Sequence, residues 1–104
     1  MKLYIVSRQD LPPGAQCAQS VHAAFAFAQE HPELTRDWHL NSNNIVILAA
    51  RNEQDLALLI EKARHDGVEF SAFREPDFDD ALTAVALAPR GKKLVQKIPL
   101  ALAA

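Results

Sequence analysis

The stretch Pro13-Gly14-Ala15-Gln16-Cys17-Ala18-Gln19-Ser20-Val21-His22-Ala23-Ala24 holds the most suggestive chemistry in the chain. A loop with Gly14 leads into an alanine-rich helix whose first turn carries unpaired N–H groups. Such a helix start can hold an anion such as a phosphate. Gln19 and His22 sit at i, i+3 and share a face. An imidazole titrates near neutrality and suits proton transfer to or from water. The same residues also fit a packing helix in which His22 is merely hydrogen-bonded. Cys17 and His22, at i, i+5, point about 140° apart on a helix and make a poor nucleophile–base pair.

Two further segments carry reactive types. Arg74-Glu75-Pro76-Asp77-Phe78-Asp79-Asp80 is a charged loop, read either as solvated surface or as a source of acid and cation for a site. Thr83 interrupts an otherwise apolar strand and is either a site hydroxyl or an ordinary β-branched strand residue. Arg90, Lys92, Lys93 and Lys97 form the one basic cluster, suited to phosphate contacts or to a solvated helix end. His22, His31, His39 and His65 are scattered, and Cys17 has no cysteine partner, so no metal site is expected. The glycines are too few and too far apart for a phosphate-cradling loop. No cofactor is expected.

These residues need elements to hold them. Leu3-Tyr4-Ile5-Val6 reads as an opening buried strand. Pro12 keeps Leu11 out of α geometry, and a helix is predicted from about Ala15 to Glu30, with Ala18, Val21, His22 and Phe25 as its apolar stripe. Pro32 to Asn44 reads as polar and irregular, anchored by Trp38 and Leu40. Ile45 to Ala50 is apolar on both faces, which predicts a central strand. Asn52 caps a helix whose stripe is Leu56, Leu59, Ile60 and Ala63 and which Gly67 ends. Val68 to Phe73 alternates as a third strand, with Val68 and Phe70 inward and Ser71 outward. Ala81 to Ala88 is the fourth. A short basic helix, Gly91 to Lys97, precedes an apolar tail from Ile98 to Ala104. The order predicts an α/β sandwich with at least one parallel crossover and an antiparallel last strand pair.

The 104 residues suit one domain, and 49% hydrophobic content supplies a core. The net charge of -2 argues against a general nucleic-acid binder, so phosphate contacts would need a local patch. A single cysteine excludes an intrachain disulfide and suits a reducing compartment. No apolar run approaches the ~20 residues of a membrane span, and by elimination a cytoplasmic location is expected.

The segment from Gly14 resembles the glycine–lysine–x–Ala–Ala–Gln–x–x–His–Ala signature of the type II peptidyl-tRNA hydrolases, with Gly14, Ala18, Gln19, His22 and Ala23 in register. Arg8-Gln9-Asp10-Leu11 is similar to the family's Arg-x-Asp-Leu strand end. Ile45-Val46-Ile47-Leu48 stands where the family has its second strand. Thr83 to Pro89 resembles its threonine-led last strand ending in proline. The resemblance spans nearly the whole chain as a single domain, 1–104. It implies a three-layer α/β/α sandwich around a mixed four-stranded sheet, hydrolysis of the ester joining a peptide to tRNA, and a homodimer. Its site would be lined by Gln19, His22 and Thr83.

Two departures stand out. Ala15 occupies the family's lysine position, and Phe73-Arg74-Glu75-Pro76-Asp77 replaces its aspartate–Ala–Gly–x–Thr loop. In this the chain resembles a divergent branch that includes the animal peptidyl-tRNA hydrolase domain-containing proteins. The expectation is that Asp77 or Glu75 supplies the acid and Arg74 or Arg8 the cation. Gly14, Lys92 and Lys93 complete the expected substrate contacts. The alternative is an inactive relative that binds tRNA or a protein.

Overall fold

The computed structural model describes residues 1–103. Strand β1 (Lys2–Arg8) leads through a proline-stiffened loop into α1 (Pro13–Glu30), then α2 (Pro32–Asn41) and β2 (Asn44–Ala50). Helix α3 (Glu53–His65), β3 (Phe70–Glu75), β4 (Ala81–Leu87) and the short α4 (Lys92–Val95) follow. The sheet order is β2-β1-β4-β3. β1 and β2 are parallel, and β4 runs antiparallel to both its neighbours. The helices α1 and α3 both lie over β1 and β4 but do not pack on each other. They therefore cover opposite faces, and the expected three-layer sandwich with a mixed sheet is the architecture found.

The local reasons are legible. Asn52 accepts a hydrogen bond from the Asp55 N–H at 3.0 Å, capping α3. Gly67, at φ +66°, turns the chain out of it. The stripe Leu56, Leu59, Ile60 and Ala63 is buried. On the sheet, Ala84 and Ala86 are fully buried, and such small side chains let a helix approach closely.

Five expectations need correction. Helix α1 starts at Pro13, not Ala15, since proline is well suited to a first helical turn. Its buried face is Gln16, Gln19, Ser20, Ala23 and Phe27. Val21 and Phe25 of the expected stripe are instead 53% and 72% exposed. The segment after Pro32 is helical. Trp38 does anchor it, donating to the Asn44 carbonyl at 2.6 Å, but Leu40 points outward. Strand β2 is an edge strand, with Ile45 and Ile47 exposed. Its outer side is partly covered by the tail, through an antiparallel bridge between Leu48 and Leu100. Strand β3 begins at Phe70, and Ser71 faces inward, its hydroxyl donating to Glu30 at 2.5 Å.

Candidate active site

The polar residues buried by α1 meet the sheet at the ends of β3 and β4. Gln19 is 3% exposed and Thr83 is fully buried. The Gln19 Nε2 donates to Glu75 Oε1 at 3.0 Å, and the Thr83 hydroxyl donates to Gln19 Oε1 at 2.7 Å. A carboxylate only accepts, so Glu75 turns the amide nitrogen of Gln19 toward itself. The amide oxygen then faces Thr83, and the threonine must be the donor. The same hydroxyl lies 3.4 Å from the Phe73 carbonyl.

Thr83 reaches α1 because of an irregularity in the sheet. Ser71 contacts α1 and pairs with Ala86, so Ala86 and Ala84 face α1. Strict alternation would turn Thr83 to the other side. The register, however, shifts between Phe73↔Ala84 and Arg74↔Leu82, leaving Thr83 as an extra residue on β4. Such a bulge re-aims a side chain. Leu82, beside it, is clamped from two directions. Its carbonyl accepts from Arg8 at 3.0 Å, and its N–H donates to Glu53 at 2.8 Å. Arg8 is in turn held by both carboxylate oxygens of Asp10, each at 2.9 Å. That hydrogen bond holds the Asp10 carboxyl below its ordinary range and raises the Arg8 guanidinium.

His22 lies on the solvent side. Its ring stacks on Phe73 with centroids 4.5 Å apart and planes within 12°. Phe73 thus touches both His22, through its ring, and Thr83, through its carbonyl. Glu75, half-buried, is the carboxylate bound to Gln19. Asp77 is exposed in the 3-10 turn that follows, and its N–H donates to Glu75 Oε2 at 3.4 Å. Arg74 is exposed and donates to the Asp80 carbonyl. Gly14 is exposed in the first turn of α1, where no side chain caps the helix. Lys92 and Lys93 sit on α4, which packs with α3 across the sheet from Gln19. The structure therefore brings together Gln19, Thr83 and Glu75, with His22 alongside. It keeps the two lysines apart from them, and it occupies each guanidinium nitrogen of Arg8. Glu53 and Phe73 carry no distinguishing signal in the sequence: one reads as a residue of a helix's first turn, the other as strand core. Among the described residues no cluster of histidine, cysteine or carboxylate side chains is arranged to hold a metal.

The described helices include none long and apolar enough to cross a membrane. In fold, the chain is similar to a protein of unknown function from Agrobacterium tumefaciens strain C58, with a TM-score of 0.68 and 13% identity over 95% of this chain and 96% of that one. In sequence, it is 31% identical over 108 residues to a peptidyl-tRNA hydrolase of Methanocaldococcus jannaschii, covering 94% of each. The family model described as peptidyl-tRNA hydrolase PTH2 matches residues 1–103. With that match running along the whole length that folds around Gln19 and Thr83, the chain belongs to the PTH2 peptidyl-tRNA hydrolase family.

Proposed function

We propose that this chain hydrolyses the ester between a peptide and the terminal ribose of tRNA, with Glu75 and His22 as the groups that meet water and substrate. The observation that carries this reading is the buried relay from Thr83 through Gln19 to the half-buried Glu75 carboxylate, beside an exposed imidazole. Ester hydrolysis needs an oriented water, a base and a donor for the developing oxyanion. Thr83 has no exposed surface, so in this reading it and Gln19 are positioning residues that fix the Glu75 carboxylate. Neither ring nitrogen of His22 is tied to another described side chain or backbone group, which leaves the ring free to take a proton from water. Glu75 takes the part of the acid in the altered loop, and Asp77 supports it only through its backbone. The uncapped N–H groups at Gly14 offer an anion contact for the tRNA end, and Arg74, which leaves β3 on the face opposite to Phe73 and Glu75, supplies a cation to the tRNA away from the ester. Lys92 and Lys93, across the sheet, take no part at the ester.

Single-turnover hydrolysis of a labelled peptidyl-tRNA tests this. We expect cleavage that falls at least about a hundredfold in His22→Ala and in Glu75→Gln. Wild-type rates in both variants would remove the assignment. The second reading is a module that binds tRNA or a protein without turnover. It is favoured by Ala15, which stands where the resemblance has lysine. A folded sample that binds tRNA and cleaves none of it would establish that reading. A translation substrate implies a cytoplasmic protein. The exposed Val21 and Phe25 on α1 support a homodimer, which light scattering of wild type and Phe25→Glu would test.

A further inference from the structure

A concavity lies across the sheet from Gln19, and no residue proposed to act at the ester lines it. Its walls are α3 and the segment from α4 to Pro99, and the top of β2 forms its floor. Its volume is about 720 Å³, within the ~300–1,000 Å³ of small-molecule sites. The far wall is fastened by backbone bonds. The Ala49 N–H donates to the Pro99 carbonyl and the Ala101 N–H to the Ile47 carbonyl, each at 3.0 Å. The groove is therefore built into the fold.

Its lining divides by chemistry. Leu58 projects from α3 at 55% exposure, off the stripe that packs on the sheet, and shares the groove with the half-buried Leu94 and Ile98. Lys62, Lys93 and Lys97 line it as well, and none of them forms an ion pair among the described residues. Among the described residues the one lining carboxylate, Asp55, is already held by Arg51 at 2.8 Å. In a chain of net charge -2, this is a local cationic region over an apolar surface. A bare phosphate would leave the leucines wet, and a neutral hydrocarbon would gain nothing from the three exposed ammonium groups at the rim. A nucleic-acid backbone would meet the lysines and not the apolar surface.

We infer that this groove binds a small amphipathic carboxylate, its hydrocarbon chain on Leu58, Leu94 and Ile98 and its carboxylate at Lys62, Lys93 and Lys97. Amide spectra of the full chain, titrated with decanoate below its aggregation threshold, with decanol and with inorganic phosphate, test it. Decanoate should shift the amides of Lys62, Leu94 and Lys97 saturably. Decanol and phosphate should bind at least about tenfold more weakly. The exposed pair Lys93→Glu, Lys97→Glu should weaken decanoate by about tenfold or more with spectral dispersion intact, and Lys93→Arg, Lys97→Arg should retain it. Equal affinity for decanol or phosphate, or decanoate shifts confined to other surfaces, would overturn the inference. So would undiminished binding in the glutamate pair, or groove amides that move with protein concentration alone, which would mark a seat for a second copy.

Discussion

The two long helices cover opposite faces of one sheet and bury different kinds of residue. Helix α3 buries Leu56, Leu59, Ile60 and Ala63 and turns its charged residues to water. Helix α1 buries the polar Gln16, Gln19 and Ser20 together with Ala23 and Phe27, and leaves Val21 and Phe25 in solvent. Buried polar groups rarely go unpartnered: Gln19 has a partner for each end of its amide, whereas Gln16 donates to the Leu11 carbonyl at 2.8 Å and its buried Oε1 has no partner among the described residues. The difference separates a helix that packs the fold with apolar side chains alone from one that, in the proposed function, also positions the polar residues of the site.

Substitutions should divide along the same line. The largest stability loss is expected for Leu56→Ala, which empties a fully buried site on α3. A loss of about 2–5 kcal/mol in urea titration is expected, with turnover per folded molecule retained. Gln19→Leu on α1 should lose less, about 1–3 kcal/mol, because Thr83 keeps only the Phe73 carbonyl and Glu75 keeps only the long bond from the Asp77 N–H. Its turnover should collapse nonetheless. A Gln19→Leu protein as stable and as active as its parent would erase the distinction between the helices. Glu53→Ala releases the Leu82 N–H and should lose about 1 kcal/mol together with turnover, and Glu53→Gln should restore much of both. A normal rate in Glu53→Ala would show that the bulge holds Thr83 without the clamp.

Smaller effects sharpen the picture. Because Asp10 titrates below its ordinary range when folded, its bond to Arg8 adds stability above the usual carboxylate pKa of about 4. That contribution disappears as pH falls through the depressed folded value. Urea midpoints of wild type and Asp10→Asn should differ at neutral pH and converge in acid. The side chain is 42% exposed, so the gap should be a few tenths of a kcal/mol. Phe25→Ser should change the monomer by less than about 0.5 kcal/mol. A loss above 1 kcal/mol would mean that this face of α1 is packed after all.

Much of this protein follows from its sequence alone. The cap at Asn52, the exit at Gly67 and the stripe of α3 are local signals, and each is found in the structure. The parallel crossover and the antiparallel last pair follow from what the connecting segments can span. The order of Gly14, Gln19, His22 and Thr83 along the chain already resembles the family. Tertiary structure decided the rest. The buried face of α1 combines Ala23 and Phe27 with Gln19, whose partners Thr83 and Glu75 lie far away in sequence, and hydrophobic periodicity cannot weigh a hydrogen bond that spans 64 residues. The edge position of β2 depends on which strands share the middle of the sheet. Thr83 itself reaches α1 only because a bulge shifts the register by one residue. A shift of that size changes the face a side chain meets while leaving the strand's composition, and so its sequence signature, untouched.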